Sequence, residues 1–338
     1  MDARPLAALT GGTGFVGSHV AEALLSAGWR VRGLVRHPEN AGWLKGLPVE
    51  VVKGDVRDDG SLDPLVNGAE AVVHAAGKTS ARSEKEYLES NAGGTARLVA
   101  ATLRRAPGAH FVLVSSQAAA GPSRDGVPLR ASDPVRPISA YGRSKLEGER
   151  EVRRAARLSY TVLRPCSVYG PRETAIRGLF VAASKGVVPV LAGGKPKVQL
   201  VYASDLAAAV LGVLRRGGWK ETFFVAHPEI LDFRRIAETL ATLPAKRPLL
   251  VPVPAAALRV AGFVAGAVSR FGSAPPVFNA EKAEEMLQPE WLCDVSDAQA
   301  GLGQPFRTDF ATGARKTWDW YVAEGWIRSD NIAGEKRS

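Results

Sequence analysis

The sequence predicts an α/β protein built on a doubly wound parallel sheet, with a smaller, mostly helical C-terminal region. Three observations carry this expectation. Short apolar, β-branched runs alternate with helix-like segments through the first half of the chain, the order produced by βαβ units with helices on both faces of a sheet. Those runs are continuously apolar and do not alternate with polar residues, as strands buried on both sides must be. A glycine-rich turn sits between the first run and the first helix-like segment, where the backbone of such a fold turns most sharply.

Leu6–Leu9 reads as the first strand. The following Thr10-Gly11-Gly12-Thr13-Gly14-Phe15-Val16-Gly17 satisfies G-x-G-x-x-G through Gly12, Gly14 and Gly17, and G-x-x-G-x-x-G through Gly11, Gly14 and Gly17. Small residues there let the chain turn tightly, approach a pyrophosphate and pack helix on strand, as in a Rossmann-type dinucleotide site. The helix Val16–Ala27 then offers its N-terminal N–H groups and dipole to the anion. Strands Arg30–Val35, Val49–Lys53, Ala71–His74, His110–Ser115 and Tyr160–Leu163 continue the series, with helices at Ser61–Val66, Glu84–Arg104 and Ala140–Ala156.

Beyond Leu163 the alternation loosens as Pro165, Pro171, Pro189 and Pro196 punctuate the chain. One more strand, Val198–Tyr202, and a helix, Asp205–Arg215, precede helical pieces and an aromatic cluster of Trp318, Trp320, Tyr321 and Trp326. The expected division is therefore residues 1–165 and 198–227 for dinucleotide binding, 166–197 and 228–330 for substrate, and 331–338 as a flexible tail.

The bulk properties narrow the classes. A length of 338 residues is ample for a sizeable core. The 46% hydrophobic and 23% charged shares are those of an ordinary globular protein. The net charge is +10, yet the cations are scattered and no basic run is interleaved with aromatics. That pattern favours solvated faces and one or two anion sites over a nucleic-acid partner. Cys166 and Cys293 lack metal-like spacing, and His19, His37, His74, His110 and His227 show no ligand spacing, so no metal is expected. Cysteine usage and the absence of a signal-like start point to a cytoplasmic protein. The apolar stretch Val251–Val268 is interrupted by Pro252, Pro254 and Arg259 and is too short for a membrane span. It reads first as a core or subunit-contact helix, with a lid over a lipophilic substrate or shallow membrane contact as the alternatives.

Tyr141 and Lys145 stand four apart at the start of a helix, so their side chains share one face. An ammonium beside a phenol stabilises the phenolate and brings it toward the working range of an acid–base group. By itself this spacing is a common accident. Ser115 and Ser116 change the balance, because they end the fifth strand at the carboxyl edge where open α/β sheets bind ligands. His74 reads as a strand-end packing residue and Cys166 as packing.

With these residues in hand, the chain resembles the extended short-chain dehydrogenase/reductase superfamily, the NAD-dependent epimerase/dehydratase family. The resemblance runs from Pro5 to about Leu214 and more loosely to Trp326. It rests on Thr10–Gly17, Gly54-Asp55, His74-Ala75-Ala76-Gly77, Asn91 with Gly94-Thr95, Ser115-Ser116, Tyr141 with Lys145, and Leu163-Arg164-Pro165 followed by Val168-Tyr169-Gly170-Pro171. It implies that Tyr141 is the general acid/base, that Lys145 binds the nicotinamide ribose and lowers the tyrosine's pKa, and that Ser116 binds the reacting oxygen. It further implies a cofactor site made by Gly11, Thr13, Gly14, Phe15, Val16 and Gly17, with Asp55 facing the adenine and Val56 beside it. Ala75, Ala76 and Gly77 would line the cofactor, and Pro165 to Val168 would pack next to the nicotinamide. Asn91 is left between a helix-anchoring role and a ligand contact. At the end of the second strand the chain reads Leu34-Val35-Arg36-His37, with no acid before Glu39. A guanidinium at Arg36 pairs with a ribose 2′-phosphate where an Asp or Glu would mark NAD, so NADP(H) is the preferred cofactor and NAD(H) is left open.

Two departures bear on the substrate. Sugar dehydratases of the family place acids directly after the catalytic hydroxyl residue, where this chain has Gln117 and Ala118. Nucleotide-sugar members commonly carry an Arg-Asp pair before the strand leading to Asp205, and those places hold Val198 and Gln199. Lys195 or Lys197 would replace that arginine only as a point charge, and the local run Gly186–Leu191 is apolar. The chain looks most like the 3β-hydroxysteroid dehydrogenase and dihydroflavonol 4-reductase-like branch. The expected activity is hydride transfer to or from a carbonyl or secondary alcohol of a fairly hydrophobic small molecule. The alternatives are a nucleotide-sugar 4-epimerase with tightly bound NAD and a non-catalytic cofactor sensor. A homodimer is expected by analogy with the family alone.

Overall fold

A computed structural model describes residues 4–217, 220–269, 275, 278–303 and 305–328; the expected tail at 331–338 lies outside these. Seven strands make one parallel sheet: β1 (Leu6–Thr10), β2 (Arg30–Val35), β3 (Val49–Lys53), β4 (Ala71–His74), β5 (His110–Val114), β6 (Ser159–Pro165) and β7 (Lys220–Val225). Their spatial order is β7-β6-β5-β4-β1-β2-β3, so the winding reverses between β1 and β4. The crevice outside the strands' carboxyl ends at such a reversal is where ligands bind. Every residue of β1, β4 and β5 is buried, which is why their sequences are unbroken apolar runs.

Helices cover both faces. On one, α1 (Phe15–Ser26) and α5 (Ala203–Arg216) bury Val20, Leu24, Leu206 and Val210. On the other, α2 (Asp59–Val66), α3 (Gly94–Arg105) and α4 (Ala140–Arg154) bury Leu62, Leu65, Leu98 and Val152. Each such aliphatic side chain removed from water stabilises the fold by about 1.5–3 kcal/mol. A third cluster holds Tyr169, Phe180, Trp318 and Tyr321. There Tyr321 stacks on Trp326 with ring centroids 5.2 Å apart, in the aromatic cluster visible in the sequence.

The structure corrects four expectations. The helix read over Glu84–Arg104 is interrupted by a π-helical turn at Glu89–Gly93, which carries Asn91. The strand read over Val198–Tyr202 splits at Gln199 into Lys197–Val198 and Leu200–Tyr202, because the backbone changes partners there: the first piece pairs with Leu231–Asp232 and Glu290–Trp291, the second with Ser167–Tyr169. β7 was not anticipated as a sheet edge. Finally, the apolar stretch 251–268 divides at Pro254 into a strand, Leu249–Val253, and helix α6 (Ala255–Val268). Helix α6 buries only Leu258 and Gly262, so it is not a core helix. It is followed by α7 (Ala280–Leu287) and α8 (Phe310–Ala323). Among the described residues no helix is long and apolar enough to cross a membrane.

Candidate active site

The chain leaves β1 through a turn that only glycine permits. Gly11 has φ +76°, and a Cβ on it would lie 2.6 Å from Ala75 C and Ala76 N. A Cβ on Gly17 would lie 2.1 Å from Gly11 O, so α1 packs directly on the turn. Gly14 is the exposed N-cap of α1, and no side chain caps that helix. Its first-turn N–H groups, from Phe15 and Val16 next to Thr13, are left for an anion. The crevice floor is closed by Ala75 and Ala76, whose position is fixed from below. Thr10 Oγ1 bonds His74 Nδ1 at 2.6 Å, and His74 Nε2 bonds Thr95 Oγ1 at 3.0 Å. Burial, with the Lys145 charge adding, brings His74 down to about 3, so it is a neutral packing residue, as expected.

At the far end of the crevice, Asp55 follows β3 and accepts from Arg57 Nε at 2.9 Å, Nη2 at 3.0 Å and backbone N at 2.9 Å. These hydrogen bonds hold its carboxyl below the ordinary range, and the charge of Arg36 acts in the same direction. Asp55 therefore sits among two cations. The sequence reading named Arg36 and overlooked Arg57, whose signal was its place two residues past Asp55. Val56 turns inward instead, against Gly94, where a Cβ would stand 2.9 Å from its Cγ2. Asn91 also faces inward. It bonds Lys78 N at 2.7 Å, Lys78 O at 3.0 Å and Ser144 Oγ at 2.9 Å, strapping the loop after β4 to α4. The anchoring role is the one observed.

Helix α4 begins at Ser139, whose hydroxyl caps Gly142 N at 3.1 Å, and this aims Tyr141 and Lys145 back toward the ends of β4 and β5. The Ser116 hydroxyl lies close enough to the Tyr141 phenol to favour its ionised form. Ser116 in turn accepts from Ala118 N at 3.1 Å. Lys145 Nζ donates to Val114 O at 2.6 Å, and a Cβ on Gly77 would stand 3.6 Å from that nitrogen. Ser116 and Tyr141 are thus neighbours, while Lys145 is held on the carbonyl of Val114, at the end of β5.

The electrostatics differ from expectation in one respect. The Tyr141–Lys145 spacing predicts that Lys145 lowers the phenol of Tyr141. Burial instead pushes Tyr141 up to about 12, with Ser116 opposing and the charge of Glu285 adding. The ammonium spends its bond on a carbonyl, and burial brings it down to about 8 against the attraction of Glu149.

Beneath the trio lies a buried network that the sequence reading missed. Glu149 accepts from Ser115 Oγ at 2.6 Å and from Arg164 Nε and Nη2 at 2.9 and 2.8 Å. Burial alone would raise this carboxyl, but Arg164, Ser115 and Arg153 together hold it below its ordinary range. Pro165 ends β6, and Val168 lies in the short strand Ser167–Tyr169, paired with Leu200–Tyr202. Cys166 Sγ is 3.2 Å from Cys293 Sγ, both thiols buried.

The model of the NAD dependent epimerase/dehydratase family matches residues 7–226. The chain is 36% identical over 340 residues to a ceramide reductase of Caulobacter vibrioides, covering 98% of this chain and 99% of that one. It is 29% identical over 272 residues to a UDP-glucose 4-epimerase of Azospirillum brasilense, covering 70% and 77%. Among solved structures, dTDP-glucose 4,6-dehydratase of Bacillus anthracis in complex with NAD superimposes with a TM-score of 0.76 at 17% identity, over 96% of this chain and 99% of that one, a likeness of fold.

Proposed function

The chain belongs to the NAD dependent epimerase/dehydratase family, and from that premise we propose that it is an NADP(H)-preferring reductase of a carbonyl on a lipophilic molecule, with Tyr141 as the acid. The cradle fits a dinucleotide. Gly11 and Gly17 admit no side chain, the start of α1 is uncapped, and the cations of Arg36 and Arg57 beside Asp55 would suit a ribose 2′-phosphate. When bound, the nicotinamide supplies the hydride.

The protein's own part is to bind, orient and protonate. The Ser116 hydroxyl stands near the Tyr141 phenol, so both would serve a single carbonyl oxygen bound between them. Ser116 donates a hydrogen bond that stabilises the growing negative charge. Tyr141 gives up its phenolic proton to the same oxygen, and the Lys145 ammonium compensates the phenolate left behind. The observation that carries the reductive direction is the similarity to a ceramide reductase over nearly the whole chain.

Other family chemistry is less well served. Gln117 and Ala118 supply no acid for eliminating water. The places of the diphosphate-gripping pair hold buried Val198 and Gln199, and Lys197 lies 3.6 Å from Glu290. The similarity to a ceramide reductase over nearly the whole chain favours a ceramide-like lipid bearing a reducible carbonyl. The epimerase reading draws on the similarity to the Azospirillum enzyme. One experiment separates them. NADPH oxidation is followed with a panel of lipophilic ketones, and UDP-glucose is incubated with enzyme and NAD. Net NADPH consumption with the ketones supports the reductase, and UDP-galactose formation without net cofactor turnover overturns it.

A further inference from the structure

Helix α6 (Ala255–Val268) leaves most of its apolar surface in water. Phe263 is 71% exposed, Val268 64%, Val260 62% and Val264 50%. Residues 260, 264 and 268, with 263 beside them, lie on one helical face. Scattered exposed apolar side chains are ordinary, but a row on one face marks an interaction surface. The strand that feeds α6, Leu249–Val253, pairs in parallel with Val187–Leu191 in the register Leu249↔Val187. Val187, Leu249 and Val251 of that ribbon share one face and are also exposed.

We propose that this face of α6 docks on the surface of an anionic lipid bilayer. Charge selects that occupant. Lys185, Lys246 and Arg247 are all exposed at the start of the two ribbon strands, and the chain as a whole carries +10. The acids on neighbouring α7 are each engaged. Glu284 binds Arg259 Nε at 2.7 Å, Glu281 accepts from Ala140 N at 3.1 Å, and Glu285 bonds Ser139 and Lys282. Little uncompensated negative charge on α7 faces the headgroups. A second copy of the chain fits less well. Four side chains expose a few hundred Å², short of the roughly 800 Å² per partner of a stable interface, and a two-fold contact would bring the same cations together. Shallow insertion of a few apolar side chains flanked by Lys and Arg is how interfacial helices bind membranes.

The location gives the surface a purpose. Gly262 of α6 packs so closely on α7 that a Cβ would meet Asn279 O at 2.8 Å and Ala283 Cβ at 2.9 Å. Helix α7 in turn holds Ser139 and Ala140, next to Tyr141. One helix therefore separates the apolar face from Tyr141, so docking there would hold the site close to the bilayer that supplies a lipid. The surface itself stands on exposure and charge; only this purpose rests on the lipophilic-substrate reading above.

The test is flotation of the full chain with phosphatidylcholine vesicles, with and without phosphatidylglycerol. NADPH oxidation on a short, water-soluble ketone is measured on the same samples. The chain should float with the anionic vesicles and release as salt rises. Phe263→Ser with Val264→Ser should cut partitioning at least tenfold, and Lys246→Glu with Arg247→Glu should abolish the preference for anionic lipid, both keeping soluble-ketone turnover. Three results would overturn the proposal: no flotation of the parent chain, equal partitioning of the Phe263/Val264 variant, or a variant whose only change is a fall from dimer to monomer mass. Flotation as expected without turnover of any ketone would sink the reductase reading and leave the docking surface standing.

Discussion

Replacing Glu149 with Gln removes one negative charge from beneath the site while keeping the side chain's shape. The carboxylate holds Arg164 through two bonds of 2.9 and 2.8 Å, and its side chain is 0% exposed against 2% for Arg164. It also takes a bond from Arg153 at 3.0 Å, but Arg153 is 36% exposed and can turn to water. Arg164 cannot. An amide offers one oxygen where the carboxylate offers two, so its NH₂ confronts a guanidinium donor and the buried cation loses its countercharge. Breaking a buried pair from one side costs about 3–5 kcal/mol. Since Arg153 escapes, the lower end applies, and urea unfolding should show a loss of about 3 kcal/mol. The same charge holds Lys145 up against burial. Without it the lysine titrates below its present value of about 8, and the alkaline limb of kcat/KM against pH should move down by roughly 1 unit. Stability within about 1 kcal/mol of the parent would refute the packing argument. An unmoved alkaline limb in a destabilised variant would refute the electrostatic one.

Three further outcomes follow from the same geometry. Lys145 has a folded value of about 8 against an ordinary 10.5, so between those pH values the unfolded chain holds a proton that the folded chain has shed. Stability should therefore climb over that window, by about 3 kcal/mol at most, and urea melts of Lys145→Met should lose the climb; an unchanged slope contradicts the assignment. Gly17→Ala sets a Cβ 2.1 Å from Gly11 O, which should cost about 1–3 kcal/mol of stability and weaken NADPH binding at least tenfold in a fluorescence titration, whereas parental affinity would show that the turn does not touch the cofactor. Arg36→Asp should shift the ratio of kcat/KM values from NADPH toward NADH by tenfold or more, and an unchanged ratio would remove Arg36 from the cofactor site.

The parts legible in the sequence were those set by local physics. β2, β3 and β4 have the residue bounds expected, although β3, with no residue buried, is an edge strand and carries Glu50 and Lys53 within its run. Tyr141 stands beside Ser116 and Lys145 on the carbonyl of Val114, because helix α4 and the end of the fifth strand meet at one edge of the sheet. What stayed hidden depends on partners distant in sequence. The ribbon of Val187–Leu191 with Leu249–Val253 contains Pro189 and Pro252, which argue against strands until one sees a lone pair of edge strands where the missing N–H groups break no larger ladder. The Glu149–Arg164 pair joins α4 to β6, and no pattern at either position announces it. The elevated phenol of Tyr141 follows from burial, a tertiary property, although the lysine beside it suggested the opposite sign.

Phenylalanine at position 141 gives the most direct test of the central claim, because it removes the phenolic oxygen and little else. For the Tyr141→Phe variant, NADPH affinity is measured by fluorescence titration and single-turnover NADPH oxidation by stopped flow with a lipophilic ketone. Loss of a positioned proton donor should slow the chemical step by about 10²–10⁴-fold while the dissociation constant stays within about twofold. Turnover at the parental rate, or a loss of cofactor binding as large as the loss of rate, would contradict the role assigned to Tyr141.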